Sequence, residues 1–277
     1  MVTDPLIDPS WLAERLDHVV VLDATYGLGA APEQARAAVV EARIPGARHF
    51  DIDAISAPGT ELPHMLPDGD TFARAMAALG IDGTRPVVVY DRSLNHFSAP
   101  RVWFTLTLFG LENVHVLDGG LARWRAEGHA VASGPVEVTP VAPRDWPFDA
   151  ARVLTGTALA EALRQGTAQV VDARAQDRFD GRAPEPRAGL KSGAMPGAVC
   201  RPFATLTGPD GRFATPETLR DMFAEVGPEP VLSCGSGVTA CVLALGLARI
   251  GRRARLYDGS WTEWGQGKLG PIVTATP

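Results

Sequence analysis

The stretch Val231-Leu232-Ser233-Cys234-Gly235-Ser236-Gly237-Val238-Thr239-Ala240 decides how this chain is read. Pro230-Val231-Leu232-Ser233 has the character of the end of a short buried strand. Beyond Ala240, the run to Arg249 is made of good helix formers with apolar residues at helical spacing, which predicts a helix over 239–250. Cys234 therefore falls on a tight loop between a strand end and a helix start. Gly235 and Gly237 let that loop curl without Cβ clashes. With Ser236, Val238 and Thr239 they bring backbone N–H groups toward a common centre, where the start of a helix adds free donors and partial positive charge. Such a loop is a cradle for a thiolate, or for a sulfur species one atom longer that carries the charge. The plainer alternative is a buried structural cysteine on a glycine turn.

Working outward, the chain contains itself twice. Val19-Val20-Val21-Leu22-Asp23-Ala24 returns as Val170-Val171-Asp172-Ala173-Arg174, and Ile44-Pro45-Gly46-Ala47 returns as Met195-Pro196-Gly197-Ala198. Val87-Val88-Val89-Tyr90-Asp91 returns as Pro230-Val231-Leu232-Ser233-Cys234. Val116-Leu117-Asp118-Gly119-Gly120 with Trp124 returns as Leu256-Tyr257-Asp258-Gly259-Ser260 with Trp264. Four landmarks in the same order, at offsets from 140 to 151 residues, mean two homologous domains and not a solenoid, whose repeats are shorter. Within each half, apolar runs of four or five residues alternate with helical stretches at 71–79, 99–109, 216–226 and 239–250. That alternation implies βαβ units and a parallel sheet covered on both faces. The expected fold is α/β, with two homologous domains, each a parallel sheet flanked by helices. The expected bounds are residues 1–133 for a non-catalytic first domain, 134–152 for a proline-rich linker wrapping between the domains, and 153–277 for the domain that carries Cys234.

Composition narrows the function classes. The chain has 277 residues, 45% of them hydrophobic and 21% charged, as in soluble globular proteins. A net charge of −6 without a Lys/Arg cluster argues against a nucleic-acid partner. The start, Met1-Val2-Thr3-Asp4-Pro5, has neither the basic nor the apolar region of a secretory signal. The apolar run after Cys234 is too short to cross a bilayer, so no membrane association is expected. Three cysteines, at 200, 234 and 241, give neither a disulfide framework nor paired metal-ligand spacing, and a reducing cytoplasm fits them best.

A second candidate element is Arg178-Phe179-Asp180-Gly181-Arg182-Ala183-Pro184-Glu185-Pro186-Arg187, which is read as following the first strand of the second copy. It is expected at the C-terminal edge of a parallel sheet, where open α/β sheets bind ligands. Arginine grips a carboxylate with two parallel hydrogen bonds. The first copy has Asp91 where the second has Cys234, followed by Arg92-Ser93-Leu94-Asn95-His96-Phe97 without the glycines. It therefore has no nucleophile there and is expected to supply the other wall of the site.

Cys-Gly-Ser-Gly-Val-Thr-Ala at 234–240 resembles the active-site loop of the 3-mercaptopyruvate sulfurtransferases within the rhodanese family, whose thiosulfate-specific members carry Arg-Lys at the positions of Gly235-Ser236. Ser98-Ala99-Pro100-Arg101-Val102-Trp103, Leu117-Asp118-Gly119-Gly120 and Tyr257-Asp258-Gly259-Ser260-Trp261 are similar to further family landmarks, read here as strand ends, turns and packing. The resemblance extends over nearly the whole chain. It implies that Arg178 and Arg187 hold the substrate carboxylate and that Arg182, which has no match, is surface. It also implies that Cys234, Ser236 and Asp53 form a relay, with His64 close by. Without the resemblance, Asp53 and His64 read equally well as a turn cap and a surface residue. The chain departs from the pattern at Ala194, Cys200 and His96, and Cys241 reads as core.

The function so implied is transfer of sulfane sulfur from 3-mercaptopyruvate, through a Cys234 persulfide, to a thiol such as thioredoxin or a small thiol, or to cyanide, without metal or organic cofactor. Three rivals stand beside it. Thiosulfate could be the donor, although Gly235-Ser236 puts no charge next to the cysteine. A phosphatase with the same cradle would want an arginine six residues after the cysteine, where Ala240 stands. A non-enzymatic sulfur carrier is disfavoured by the arginine loop.

Overall fold

Val87-Val88-Val89-Tyr90 is buried along its whole length, as a strand covered on both faces of a parallel sheet must be. It is one of ten strands in a computed structural model that describes residues 4–27 and 32–274. The chain divides into two compact units. The first is Met1–Gly59, Leu66–Asp149 and Thr207–Phe213, and the second is Thr60–Met65, Ala150–Leu206 and Ala214–Pro277.

The first unit contains β1 (Leu6–Ile7), β2 (Val20–Asp23), β3 (Arg48–His49), β4 (Val87–Tyr90) and β5 (Val114–Leu117), ordered β1-β5-β4-β2-β3. The second contains β6 (Val153–Leu154), β7 (Val170–Asp172), β8 (Val199–Cys200), β9 (Val231–Ser233) and β10 (Arg255–Tyr257), ordered β6-β10-β9-β7-β8. All pairings are parallel and the two orders are the same permutation, so the internal repeat in the sequence is a repeat of topology. The units are two α/β folds of the same topology, as the repeat predicts. Each has its own core. Val21, Val88, Leu117 and Trp124 pack in the first; Val170, Val231, Tyr257 and Trp264 pack in the second.

The helices follow the expected periodicity, with shifts at their ends that have local causes. The helix expected from residue 71 starts at Gly69, because the Asp68 side chain accepts the Thr71 N–H at 2.7 Å and caps the turn earlier. The helix expected over 216–226 is Pro216–Met222. Phe223 caps it, and Val226 N–H turns back onto the Phe223 carbonyl at 3.1 Å ahead of Gly227-Pro228, which does not continue a helix. Residues 134–149 form neither helix nor strand, but they are tied to the first unit. Val141 N–H donates to the Ala77 carbonyl at 3.0 Å, Asp149 N–H donates to Leu108 at 2.9 Å, and Trp146 stands edge-on to Phe72. Among the described residues no helix is long and apolar enough to cross a membrane.

Candidate active site

β9 ends at Ser233, so Cys234 leaves the C-terminal edge of the second sheet, and the helix Ala240–Arg249 begins six residues later. The loop between them turns through Gly237 at φ 78°, a left-handed conformation that costs a residue with a Cβ about 1–2 kcal/mol. The first hydrogen bond of the new helical turn is Cys241 N–H to the Val238 carbonyl, at 3.2 Å. The N–H groups before it are those a helix start leaves without an intrahelical acceptor. Cys234 is 1% exposed and Ser236, Val238 and Thr239 are buried with it, so the sulfur lies away from bulk water.

The loop is braced from the segment after β10. Ser260 Oγ accepts the Cys234 N–H at 3.2 Å and donates to the Tyr257 carbonyl at 2.9 Å. Trp261 N–H donates to the Cys234 carbonyl at 3.0 Å, and Thr262 donates both its N–H and its hydroxyl to the Gly235 carbonyl, at 2.9 and 2.6 Å. Every one of these bonds fixes backbone, so the landmark Tyr257-Asp258-Gly259-Ser260-Trp261 is structural, but what it holds in place is the cysteine.

The arginine loop comes to the same place. A Cβ built on Gly235 would lie 3.5 Å from Arg178 Nη2 and 4.0 Å from Arg187 Nη1. Two guanidinium groups that the sequence separates from Cys234 by about fifty residues therefore flank the residue next to it. Arg187 Nη2 donates toward His64 Nε2 at 3.3 Å and to Ser236 Oγ at 3.5 Å. The sequence reading puts His64 in the first domain. In the structure residues 60–65 belong to the second unit, and His64 is buried at φ 62°. Asp53 is an exposed residue of the first unit, in a turn where its N–H meets Asp51 Oδ1 at 3.1 Å. The second unit by itself thus brings together Cys234, Ser236, His64, Arg178 and Arg187, but not Asp53. Arg182 pairs with Asp180 at 2.6 Å on the surface, its side chain 65% exposed.

Two side chains that the sequence reading left out complete the cluster. Arg174 is buried, its guanidinium 3.9 Å over the Trp261 ring. It bonds both oxygens of Asp172, the Gly193 carbonyl at 2.7 Å, and Glu185 Oε1 at 2.7 Å. Glu185, with its side chain 2% exposed, uses its other oxygen to pair with Arg178. The remaining cysteines are set apart from this chemistry. Cys241 is fully buried, its Sγ on the Gly237 carbonyl at 3.4 Å. Cys200 donates to the Arg174 carbonyl at 3.5 Å, and burial, with Asp172 nearby, pushes its thiol up to about 12.

The first unit shows what the corresponding loop does when it carries its own anion. Asp91, at the place of Cys234, accepts the N–H groups of Ser93, Ser98 and Ala99 at 2.8–2.9 Å. Its carboxylate fills the mouth of the helix Ala99–Leu108. Leu121 N–H donates to the Asp91 carbonyl at 3.0 Å, as Trp261 does to Cys234. His96, at φ 50°, closes the loop by accepting the Gly119 N–H at 3.2 Å. In the first copy the strand-loop-helix geometry holds a carboxylate, and the second copy places Cys234 at the same point.

Comparison with known proteins gives the family. The model of the rhodanese-like domain matches residues 8–127 and again 155–266. The 3-mercaptopyruvate sulfurtransferase of Escherichia coli K12 is 40% identical over 276 residues, covering 96% of each chain. The mitochondrial thiosulfate/3-mercaptopyruvate sulfurtransferase 1 of Arabidopsis thaliana is 40% identical over 95% of this chain and 76% of its own. The crystal structure of SseA from Escherichia coli, a 3-mercaptopyruvate sulfurtransferase, superposes with a TM-score of 0.83 at 36% identity, covering 94% of this chain and 99% of that one. With two matched copies and relatives of this identity along almost its entire length, the chain belongs to the rhodanese family, in the tandem form to which these sulfurtransferases belong.

Proposed function

We propose that the chain is a 3-mercaptopyruvate sulfurtransferase that works through a persulfide on Cys234. The observation that carries this reading is the pair of guanidinium groups, Arg178 and Arg187, within van der Waals reach of Gly235 beside the cysteine. They offer a carboxylate a charged grip next to a buried thiolate. The Cys234 thiolate attacks the substrate sulfur. An S–S bond forms, the C–S bond breaks, and its electron pair leaves as the enolate of pyruvate, which takes a proton to become pyruvate. The backbone cradle of Gly235, Ser236, Gly237, Val238 and Thr239 holds the persulfide anion. A second thiol, a small one or that of a protein such as thioredoxin, or cyanide, then attacks the outer sulfur and restores Cys234.

Ser236 and Asp53 are assigned to the proton relay that serves the enolate, with His64 steadying Arg187. Asp53→Asn should then lower kcat with little change in KM. Thiosulfate is the second donor to consider, because the Arabidopsis relative is named for both. The free cysteines support a reducing compartment, which we take to be the cytoplasm.

The test is mass spectrometry after mixing the protein with mercaptopyruvate in the absence of acceptor. One added sulfur is expected on the Cys234 peptide. Cys234→Ser should abolish both the adduct and pyruvate release, whereas Cys200→Ser should keep most of each. Sulfur on Cys200, or none on any cysteine, would defeat the reading.

A further inference from the structure

Two consecutive peptides of the cysteine loop are held by their carbonyls from one side. Trp261 N–H donates to the Cys234 carbonyl at 3.0 Å, and Thr262 donates to the Gly235 carbonyl twice, with its N–H at 2.9 Å and its hydroxyl at 2.6 Å. In a trans peptide the C=O and N–H bonds point to opposite sides of the chain. The N–H groups of Gly235 and Ser236 are therefore both turned away from residues 261–262. There they meet no acceptor among the described residues, Cys234 Sγ included. Successive N–H groups on one side of a chain make a concavity that binds anions. A buried residue such as Ser236 seldom leaves its N–H unmet without a reason.

The first copy of the repeat separates the general part of this bracing from the special part. Leu121 N–H donates to the Asp91 carbonyl as Trp261 N–H does to that of Cys234. The next residue there is Ala122, which has no hydroxyl, and the Asp91 carboxylate already occupies the N–H groups of Ser93, Ser98 and Ala99. The hydroxyl of Thr262 belongs only to the copy that carries the cysteine.

We infer that Thr262 is a positioning residue for the transferred sulfur. Its hydroxyl fixes the Gly235–Ser236 peptide so that the Ser236 N–H, beside that of Gly235, is aimed at the place the second sulfur takes on Cys234. The inference rests on the proposed function and refines it. A carbonyl that accepts two hydrogen bonds also polarises its peptide, which makes the N–H at the other end a stronger donor. These N–H groups act as the second sulfur arrives, so they lower the barrier to persulfide formation without tightening the binding of mercaptopyruvate.

The experiment compares wild type with Thr262→Val, which keeps the shape and loses the hydroxyl, and with Thr262→Ser, which keeps the hydroxyl. In a single turnover with mercaptopyruvate and no acceptor, the rate constant of pyruvate release should fall about three- to tenfold in Thr262→Val, the effect of one neutral hydrogen bond, and return in Thr262→Ser. The half-saturating mercaptopyruvate concentration should be the same in all three proteins. A folding defect lowers the amplitude and leaves the rate constant alone, so an unchanged rate constant in Thr262→Val would overturn the inference. A loss that serine does not restore, or one accompanied by weaker binding, would overturn it too. Nuclear magnetic resonance of wild type before and after persulfide formation decides the matter if Thr262→Val does not fold. The amide protons of Gly235 and Ser236 should move downfield, and that of Thr262, on the shared carbonyl, should move with them. An unmoved Ser236 or Thr262 amide would overturn the inference. Failure of the parent reading looks different: wild type would take up no sulfur and release no pyruvate from mercaptopyruvate.

Discussion

Ser260 stands at φ 49° with its hydroxyl on the backbone N–H of Cys234, 3.2 Å away, where the first copy of the repeat has Gly120 at φ 53°. A left-handed serine is strained by about 1 kcal/mol or more, and the first unit avoids that strain with glycine. The second accepts it and gains an acceptor for a buried N–H that would otherwise have none. Ser260→Ala should therefore be worse than Ser260→Gly. Alanine keeps the strain and orphans the N–H, costing about 2–4 kcal/mol, whereas glycine relieves the strain and costs about 1–2. Urea unfolding of the two variants measures the difference, and equal losses would mean that Ser260 is merely a turn residue.

Gly235 separates folding from binding. Its backbone φ is not in the left-handed region, and a Cβ there would make ordinary contacts with Arg178 and Arg187. Gly235→Ala should leave the melting temperature nearly unchanged. The added methyl group would occupy space between the two guanidinium groups, where the donor carboxylate is expected. KM for mercaptopyruvate should rise about tenfold or more, the effect of losing one charged hydrogen bond.

The arginines can be ranked by position. Arg178→Ala and Arg187→Ala should each lower kcat/KM for mercaptopyruvate about ten- to a hundredfold, the usual loss for a charged hydrogen bond to substrate. Arg182→Ala should change little, since its partner is Asp180 at the surface. Persulfide formation from an inorganic donor should persist in all three variants. A loss at Arg182 as large as at the other two would mean that the loop grips donors differently.

The two-copy α/β fold was legible in the sequence because parallel strands are nearly continuous apolar runs and the landmarks recur in order. The cysteine loop was legible because nucleophile, glycines and helix start are contiguous. Arg178 and Arg187 were found through resemblance, since an arginine on a loop is most often a solvated charge. Glu185 and Arg174 were missed because burial of a charge cannot be read from local sequence. Glu185 sits in a Pro-Glu-Pro-Arg run that looks solvent-exposed, yet its side chain is 2% exposed. Ser260 left a trace that could have been followed: aligned on the repeat, it is the polar residue that replaces a glycine. The early start at Gly69 was also recoverable, because Asp68 three residues before Thr71 is a capping signal.

Cys200 yields a prediction about pH. Burial raises its thiol from 9.0 to about 12, with Asp172 adding to the effect. The folded chain therefore holds this proton to higher pH than the unfolded chain does. The contribution to stability is complete below the unfolded value of 9.0 and is lost progressively as pH rises from there through about 12, as the unfolded state sheds the proton first. The thiol also donates to the Arg174 carbonyl, a bond that deprotonation removes. Replacing Cys200 with alanine removes this titration and leaves a small cavity. The variant should start slightly less stable at pH 8 and lose stability less steeply between pH 9 and 11 than wild type, by an amount on the order of one to a few kcal/mol across the window. Other groups that titrate there, the tyrosines and lysines, are common to both proteins and cancel in the comparison. Urea unfolding at several pH values measures the two slopes. Parallel curves would show that the Cys200 thiol titrates alike folded and unfolded, and that its burial does not hold the proton.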